Sequence, residues 1–479
     1  MMKKLKLFLA TLLALVFAFS AGKVKAYDIT VDNAGSGTYE SYRIFTGTLS
    51  EDGKTLSNIK WGDGITEAGR TALQEKYKVS SAAALAEVIG AEGFTATQAE
   101  EFAKEAGKYL QNPGGLTGLT AGYYLVQNKT VGSNEAYTNY ILEVVGNVTV
   151  TPKTDIPTLE KKVKDTDDTT GEVTDWQDSA DYDFDDDVPF QLTATLPSNF
   201  NSYDNYYFEI SDTLSSGLTY NKDAKVYLVN GNQKDDVTKN FTVETANELS
   251  FKIDNLKAIS GVTASSKIVV EYTATLNKSA VIGKIGNPNT AKLIYSNNPN
   301  SQGTAGSTTE TPEDTVIVFT YKVVVNKVDE NSKPLAGAEF TLYKKLADGS
   351  QKAVTVIKND AGTTFEFKGL DAGDYILSET TTPNGYNTID DIKFTITAEH
   401  DVLSDTPALT SLSGNAASGD ITFTSAVTEG SVSTDVVNKK GATLPSTGGT
   451  GTRLLYVLGF ILIFGAGILL VTKKRMDTK

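Results

Sequence analysis

The chain has 479 residues, with 44 Lys and Arg against 59 Asp and Glu, one histidine, no cysteine and a net charge of -15. An acidic chain of this kind lacks the basic stripe that nucleic-acid binding needs, and without thiols and with a single imidazole it lacks the parts for cysteine and most serine-hydrolase mechanisms. Removing an apolar segment at each end leaves about 420 residues, room for two to four domains whose stability cannot come from disulfides.

At the start, Lys3, Lys4 and Lys6 precede an apolar run from Leu7 to Phe19, and Val24-Lys25-Ala26 offers a cleavage site before Tyr27. This pattern predicts a secretory signal over 1–26, too short to span a bilayer stably. Beyond it the chain is rich in Thr, Val, Tyr and Asn, in short alternating runs broken by Gly, Asn and Asp. That pattern predicts a mainly β protein of tandem immunoglobulin-like β-sandwich domains. Strands are expected at Ile141–Val150, Ile268–Leu276, Lys322–Val328 and Ile392–Ile396. One stretch departs from it. From Thr66 to Leu110, apolar residues recur at helical spacing, so the first domain (27–153) is expected to carry added helices over one face or end. It closes on Val148-Thr149-Val150-Thr151-Pro152-Lys153, where a proline ends the strand and leaves the Lys153 amine available to solvent.

The second domain is expected over 154–314. In Leu159-Glu160-Lys161-Lys162-Val163 the two-residue period of a strand puts Leu159, Lys161 and Val163 on one face, so Lys161 points inward and Lys162 outward. Asp165 to Gly171 and the acidic run Asp178 to Asp187 lack the spacing of an EF-hand loop, read as solvated loops, and assign no metal. From Asn298 to Asp314 almost no apolar residue occurs, as in a linker or long loop.

The third domain (315–441) repeats the inward lysine: Val323, Val325 and Lys327 share one strand face. Downstream, Tyr375, Leu377 and Glu379 share another. An unpaired lysine and glutamate pointing inward would be costly. On pattern alone a buried salt bridge, or edge residues reaching solvent, accounts for them. Glu399-His400-Asp401 reads as an acidic, loop-like stretch holding the one histidine.

At the far end Leu444-Pro445-Ser446-Thr447-Gly448 precedes an apolar stretch over 454–472 and a basic tail over 473–479. Nineteen residues at about 1.5 Å each just cross a hydrocarbon core, with the basic cluster held on the cytoplasmic side.

Several of these segments resemble known families. The pentapeptide 444–448 resembles the sortase sorting signal, LPXTG, with Leu444, Pro445, Thr447 and Gly448 at its fixed positions. That resemblance implies cleavage after Thr447 by a sortase cysteine and transfer of the acyl group to an amine. Tyr375-to-Tyr386 resembles the acidic box of B-type collagen-adhesin repeats, YxLxETxAPxGY, with Thr382 in place of Ala. In that family a first-strand lysine and a last-strand asparagine fuse into an isopeptide bond, which here implies Lys327 and Asn438, with Glu379 as the proton-shuttling acid. Pro157–Val163, Thr193–Pro197, Tyr207–Leu214 and Asn289–Pro299 resemble the A-type collagen-adhesin domain of pilins. That likeness implies Lys161, Asp212 and Asn289 as a second trio, with Asn287 on the same face as a competitor for Asn289. Burial should lower each lysine pKa, so that a neutral amine can attack, and should favour a protonated acid.

Val148–Lys153 is similar to the pilin motif, with Thr151 in place of Tyr, which makes Lys153 the sortase nucleophile. Gly37–Gly47 and Ala121–Val126 resemble backbone-pilin N-terminal domains. Taken together these resemblances identify the chain as a sortase-assembled backbone pilin, secreted and cell-wall-anchored. It would be polymerised from Thr447 to Lys153 by a pilus-specific sortase and joined to peptidoglycan by a housekeeping sortase. Other copies of itself, ancillary pilins and a possible host surface ligand are the further partners. No cofactor, no nucleic acid and no enzymatic turnover beyond single-turnover isopeptide formation are implied. A monomeric wall-anchored adhesin that binds a host ligand is the alternative.

Overall fold

The structure is a computed structural model, described over residues 25–32, 37–131, 137, 139–150, 156–245, 249–299, 307–418, 421–441 and 450–476. The signal segment before residue 25, Lys153, and Leu444, Pro445, Thr447 and Gly448 lie outside the described residues. Three groups of sheets follow one another along the chain.

The first group is a four-stranded antiparallel sheet built from Leu56–Trp61, Thr38–Leu49, Gly122–Thr130 and Asn139–Val144. Beside it, Ile29–Val31 and Val148–Val150 pair in parallel. Between the second and third of its strands in the chain stand three helices, Glu67–Tyr77, Ala82–Ile89 and Ala96–Gly107. Their starts are set locally. Thr66, Ser81 and Thr95 each accept a hydrogen bond from a first-turn amide, and the Thr95 amide donates back to the Gln98 side chain in a capping box. Leu73, Leu85 and Phe102 then pack with Ile44, Phe45 and Leu125 of the sheet, so the helices cover one face of it.

The second group is a two-sheet sandwich. One sheet holds Leu159–Val163 at its edge, then Asp187–Thr195 and Lys267–Leu276; the other holds Phe208–Leu214 beside Asn287–Ser296. Alternation drives the packing: along Asp187–Thr195, Val188, Phe190, Leu192 and Ala194 are buried. The boundary expected at 314/315 falls elsewhere. After the apolar-poor stretch the chain returns as Asp314–Phe319, which pairs with Asn287–Ser296 and with Ser179–Asp181 and so completes the second sandwich. Its alternating Val316 and Val318 supply core that a domain break before residue 315 would have exposed.

Only Thr320 separates that strand from Tyr321–Asp329, the first strand of the third group, which is two five-stranded sheets. In one, Tyr321–Asp329 runs parallel to the final strand Ser431–Asn438, with Asp329 opposite Asn438. In the other, Gly373–Thr381 lies between Glu339–Lys345 and Ile392–His400.

The acidic run Asp178 to Asp187 is not a solvated loop. It forms the seam between the second and third groups, with Asp178, Asp181 and Asp183 buried. Buried Lys344 from the third group donates to Asp168 (2.8 Å), Asp183 (3.1 Å) and Asp371 (2.5 Å). Together those carboxylates hold its pKa above the usual lysine range despite burial. Ser179 Oγ lies 2.7 Å from His400 Nδ1, and the Phe184 amide donates to the Gly369 carbonyl at 3.1 Å. Gly369 has φ +73, and a Cβ there would meet the Phe184 ring at 2.0 Å, so this contact requires glycine. His400, expected in a loop, ends a strand with its ring buried against this seam.

Candidate functional site: two buried lysine, acid and asparagine clusters

In the middle sandwich the Lys161 side chain is wholly buried beside Val163. Its amine donates to both Asp212 oxygens at 2.7 Å and lies 3.3 Å from the Tyr272 hydroxyl. Burial pulls the Lys161 pKa below its usual value, although Asp212 opposes that shift. Asp212 comes from the facing sheet, two residues before Leu214, whose register partner is Asn289. The Asn289 side chain donates from Nδ2 to Tyr272 at 2.7 Å, and its buried Oδ1 has no hydrogen-bond partner among the described residues. Asn287 is engaged elsewhere: its Oδ1 accepts from the Val281 amide at 2.8 Å, and its Nδ2 donates to the carbonyls of Val281 and Val318. Lys161, Asp212 and Asn289 therefore meet in one buried cluster, whereas the Asn287 side chain is held by backbone.

Tyr272 was not anticipated as a member of this cluster. It lies in Lys267–Leu276, where alternation puts Val270, Tyr272 and Ala274 on the core face. No local signal marks one buried tyrosine hydroxyl as the meeting point of residues 60 and 17 positions away.

The third group builds its cluster differently. Lys327 is fully buried, and its amine donates to the carbonyls of Val328 (3.1 Å) and Val436 (2.8 Å) rather than to a carboxylate. Burial lowers its pKa to about 8, against a pull upward from the Glu379 charge. Glu379 Oε2 accepts directly from Asn438 Nδ2 at 3.0 Å, and also from Thr382 Oγ1 and the Ile389 amide, each at 3.2 Å. Asn438 Nδ2 also donates to the Asn387 carbonyl at 2.8 Å. The buried Oε1 of Glu379 and Oδ1 of Asn438 have no hydrogen-bond partner among the described residues. Thr382, the departure from the acidic box, thus places a hydroxyl on the acid.

Each cluster has the parts for amide exchange: an amine that burial makes easier to deprotonate, a carboxamide with a free carbonyl oxygen, and an acid touching the amide nitrogen directly or through one hydroxyl. Beyond the sandwiches, the helix Thr450–Met476 contains an apolar stretch, Leu454–Lys474, long enough by length and composition to cross a membrane, and none of it is buried.

Comparison with known families matches residues 321–406 to the SpaA prealbumin-like fold domain and residues 436–478 to the LPXTG cell wall anchor motif. The class follows from these matches and the β architecture: a Gram-positive surface protein carried on an LPXTG cell-wall anchor. Over 92% of its length the chain is 26% identical to the trypsin-resistant surface T6 protein of Streptococcus pyogenes serotype M6, covering 93% of that protein. Its fold is similar to that of the T6 backbone pilin of the same serotype, with a TM-score of 0.57 and 18% identity, covering 89% of this chain and all of that one. The anchor motif thus places the chain among wall-anchored surface proteins, and the backbone pilin is what it resembles in fold.

Proposed function

We propose that this chain is the repeating shaft subunit of a covalent pilus, joined head to tail between Thr447 of one copy and Lys153 of the next. A sortase thiolate attacks the Thr447 carbonyl and the Thr447–Gly448 bond breaks. The resulting thioester is then attacked by the Lys153 amine, which restores the thiol and leaves an amide between copies. Capture of the acyl group by a wall amine instead ends growth and anchors the fibre. Within each copy, Lys161 joins Asn289 and Lys327 joins Asn438, each with release of ammonia, and Asp212 and Glu379 act as the acids.

The observation that carries the internal bonds is that two fully buried lysines each share a pocket with a buried acid and a buried asparagine. Support for the polymer comes from end-to-end similarity to a protein whose structure is described as a backbone pilin, together with the anchor. That relative is named for trypsin resistance, and covalently stapled sandwiches would give this chain the same property.

Peptide mapping of native wall extracts tests the linkage. A branched peptide joining Thr447 to Lys153 is expected, and Lys153→Ala should abolish the high-mass ladder. A wild-type product already of single-copy size, left unchanged by Lys153→Ala, would leave the monomeric adhesin as the reading. For the internal bonds, the mature chain should weigh less than its sequence by two ammonia molecules.

A further inference from the structure

The middle-domain cluster contains a fourth polar side chain, placed between the acid and the amide. Tyr272 OH donates to Asp212 Oδ2 at 2.7 Å, accepts from Asn289 Nδ2 at 2.7 Å and lies 3.3 Å from Lys161 Nζ. Asn289 Nδ2 thus reaches the acid through the phenol, whereas in the third domain the amide nitrogen sits on the acid itself. The ring is fixed by Phe190, stacked at 5.3 Å between centroids, and by Tyr220, edge-on at 5.6 Å.

We propose that the Tyr272 hydroxyl is a catalytic proton relay for the Lys161–Asn289 bond, carrying the proton from Asp212 to the departing amide nitrogen. The proposal rests on the isopeptide reading above and adds a residue to it. In the first step the Lys161 ammonium passes a proton to Asp212, leaving a neutral amine and a carboxylic acid. The amine lone pair attacks Asn289 Cγ, and the carbonyl π electrons move onto Oδ1. Nδ2, no longer conjugated, becomes basic. With Asp212 protonated the Tyr272 hydroxyl turns to Nδ2; Asp212 then gives its proton to the Tyr272 oxygen while the Tyr272 proton moves to Nδ2, which restores the resting direction of both hydrogen bonds. Asp212 regains a proton from the attacking nitrogen, the Cγ–Nδ2 bond breaks, and ammonia leaves. An ammonium, a carboxylate and a carboxamide become a secondary amide, ammonia and a carboxylic acid, with no co-reactant. Burial raises the phenol's pKa well above its ordinary value, so the hydroxyl passes a proton without ever resting as phenolate.

Tyr272→Phe keeps the ring packing and removes only the hydroxyl. The full-length chain is synthesised in a short pulse as wild type, Tyr272→Phe and Asp212→Ala. Each is then digested at successive times and scored for the Lys161–Asn289 branched peptide, with the Lys327–Asn438 peptide as internal control. Wild type should join both pairs early. Tyr272→Phe should join Lys161 to Asn289 slower by about 100-fold or more, the low end for a lost general acid–base group, with the control pair unchanged. Joining at the wild-type rate in Tyr272→Phe overturns the relay and leaves the isopeptide reading standing. Absence of the Lys161–Asn289 peptide from wild type overturns both.

Should Tyr272→Phe prove protease-sensitive in its middle domain, wild type made with 3-fluorotyrosine decides, since its phenol has the same shape and a different acidity. A changed joining rate at Lys161–Asn289 alone supports the relay. Equal rates with ordinary tyrosine overturn it.

Discussion

Three buried lysines among the described residues face acids, and they differ in what else is present. Lys161 sits on a single carboxylate with an asparagine one hydroxyl away. Lys327 sits on backbone carbonyls, with its acid across the pocket on the amide. Lys344 sits on three carboxylates, which fix its charge and keep it an ion-pair partner. Burial therefore does not by itself make a lysine a nucleophile. The number of carboxylates around the amine decides whether it keeps its proton, and a neighbouring carboxamide decides whether a neutral amine has anything to attack. The two clusters proposed to react also differ in how a proton would reach the leaving nitrogen, directly from Glu379 or through Tyr272 from Asp212.

The comparison is broken most severely at Asp212. Asp212→Ala should leave Lys161 buried without its counter-charge, costing about 3–5 kcal/mol. It should also prevent the crosslink, worth a further ~5 kcal/mol by analogy with a disulfide closing a loop of about a hundred residues. Thermal unfolding should show the middle sandwich melting separately and well below the rest, and an unchanged transition would dissociate Asp212 from the bond.

Asn438→Ala should cost less, about 5 kcal/mol from the lost crosslink alone, because Lys327 keeps its backbone acceptors. This variant also exposes a pH signature. With the Lys327 pKa lowered from 10.5 to about 8 in the folded chain, the unfolded chain binds more protons between those values. Its stability should therefore rise as pH climbs from about 8 to 10.5, and Lys327→Met in the same background should flatten the rise. Denaturant titration across that range measures both.

Thr382→Ala, which restores the commoner acidic-box residue, removes one hydroxyl donor from Glu379. It should shift stability by only about 0.5–1.5 kcal/mol and still yield the Lys327–Asn438 peptide. Loss of that peptide would show the hydroxyl to be required.

Much of this arrangement was legible in the chain. Two-residue alternation put Lys161 among Leu159 and Val163, Lys327 among Val323 and Val325, and Glu379 in line with Tyr375 and Leu377, and all three charged residues are buried. The helical insertion over 66–110 was readable from apolar spacing. What escaped depends on contacts between distant segments. Asn287 and Asn289 share a face and cannot be told apart by period; the backbone of Val281 and Val318 separates them. Tyr272 looks like any core tyrosine until three strands bring its hydroxyl to Asp212 and Asn289. The acidic run at 178–187 reads as solvent-facing because its partners, Lys344 and His400, lie more than 150 residues downstream. The boundary was hidden for another reason: Asp314–Phe319 follows a polar stretch but pairs backward with Asn287–Ser296.

The parallel pairing of Tyr321–Asp329 with Ser431–Asn438 has a mechanical consequence. The chain enters this domain at the start of one strand and leaves at the end of its neighbour, with both pointing the same way. Pulling the two termini apart drags the strands past each other in shear, so the ladder's hydrogen bonds must fail together rather than peel one at a time. A covalent Lys327–Asn438 link at the far end of that pair would pass the pull from strand to strand. Residues 328–437 would then be unstretched, and the fibre's extension would no longer depend on how fast this sandwich unfolds.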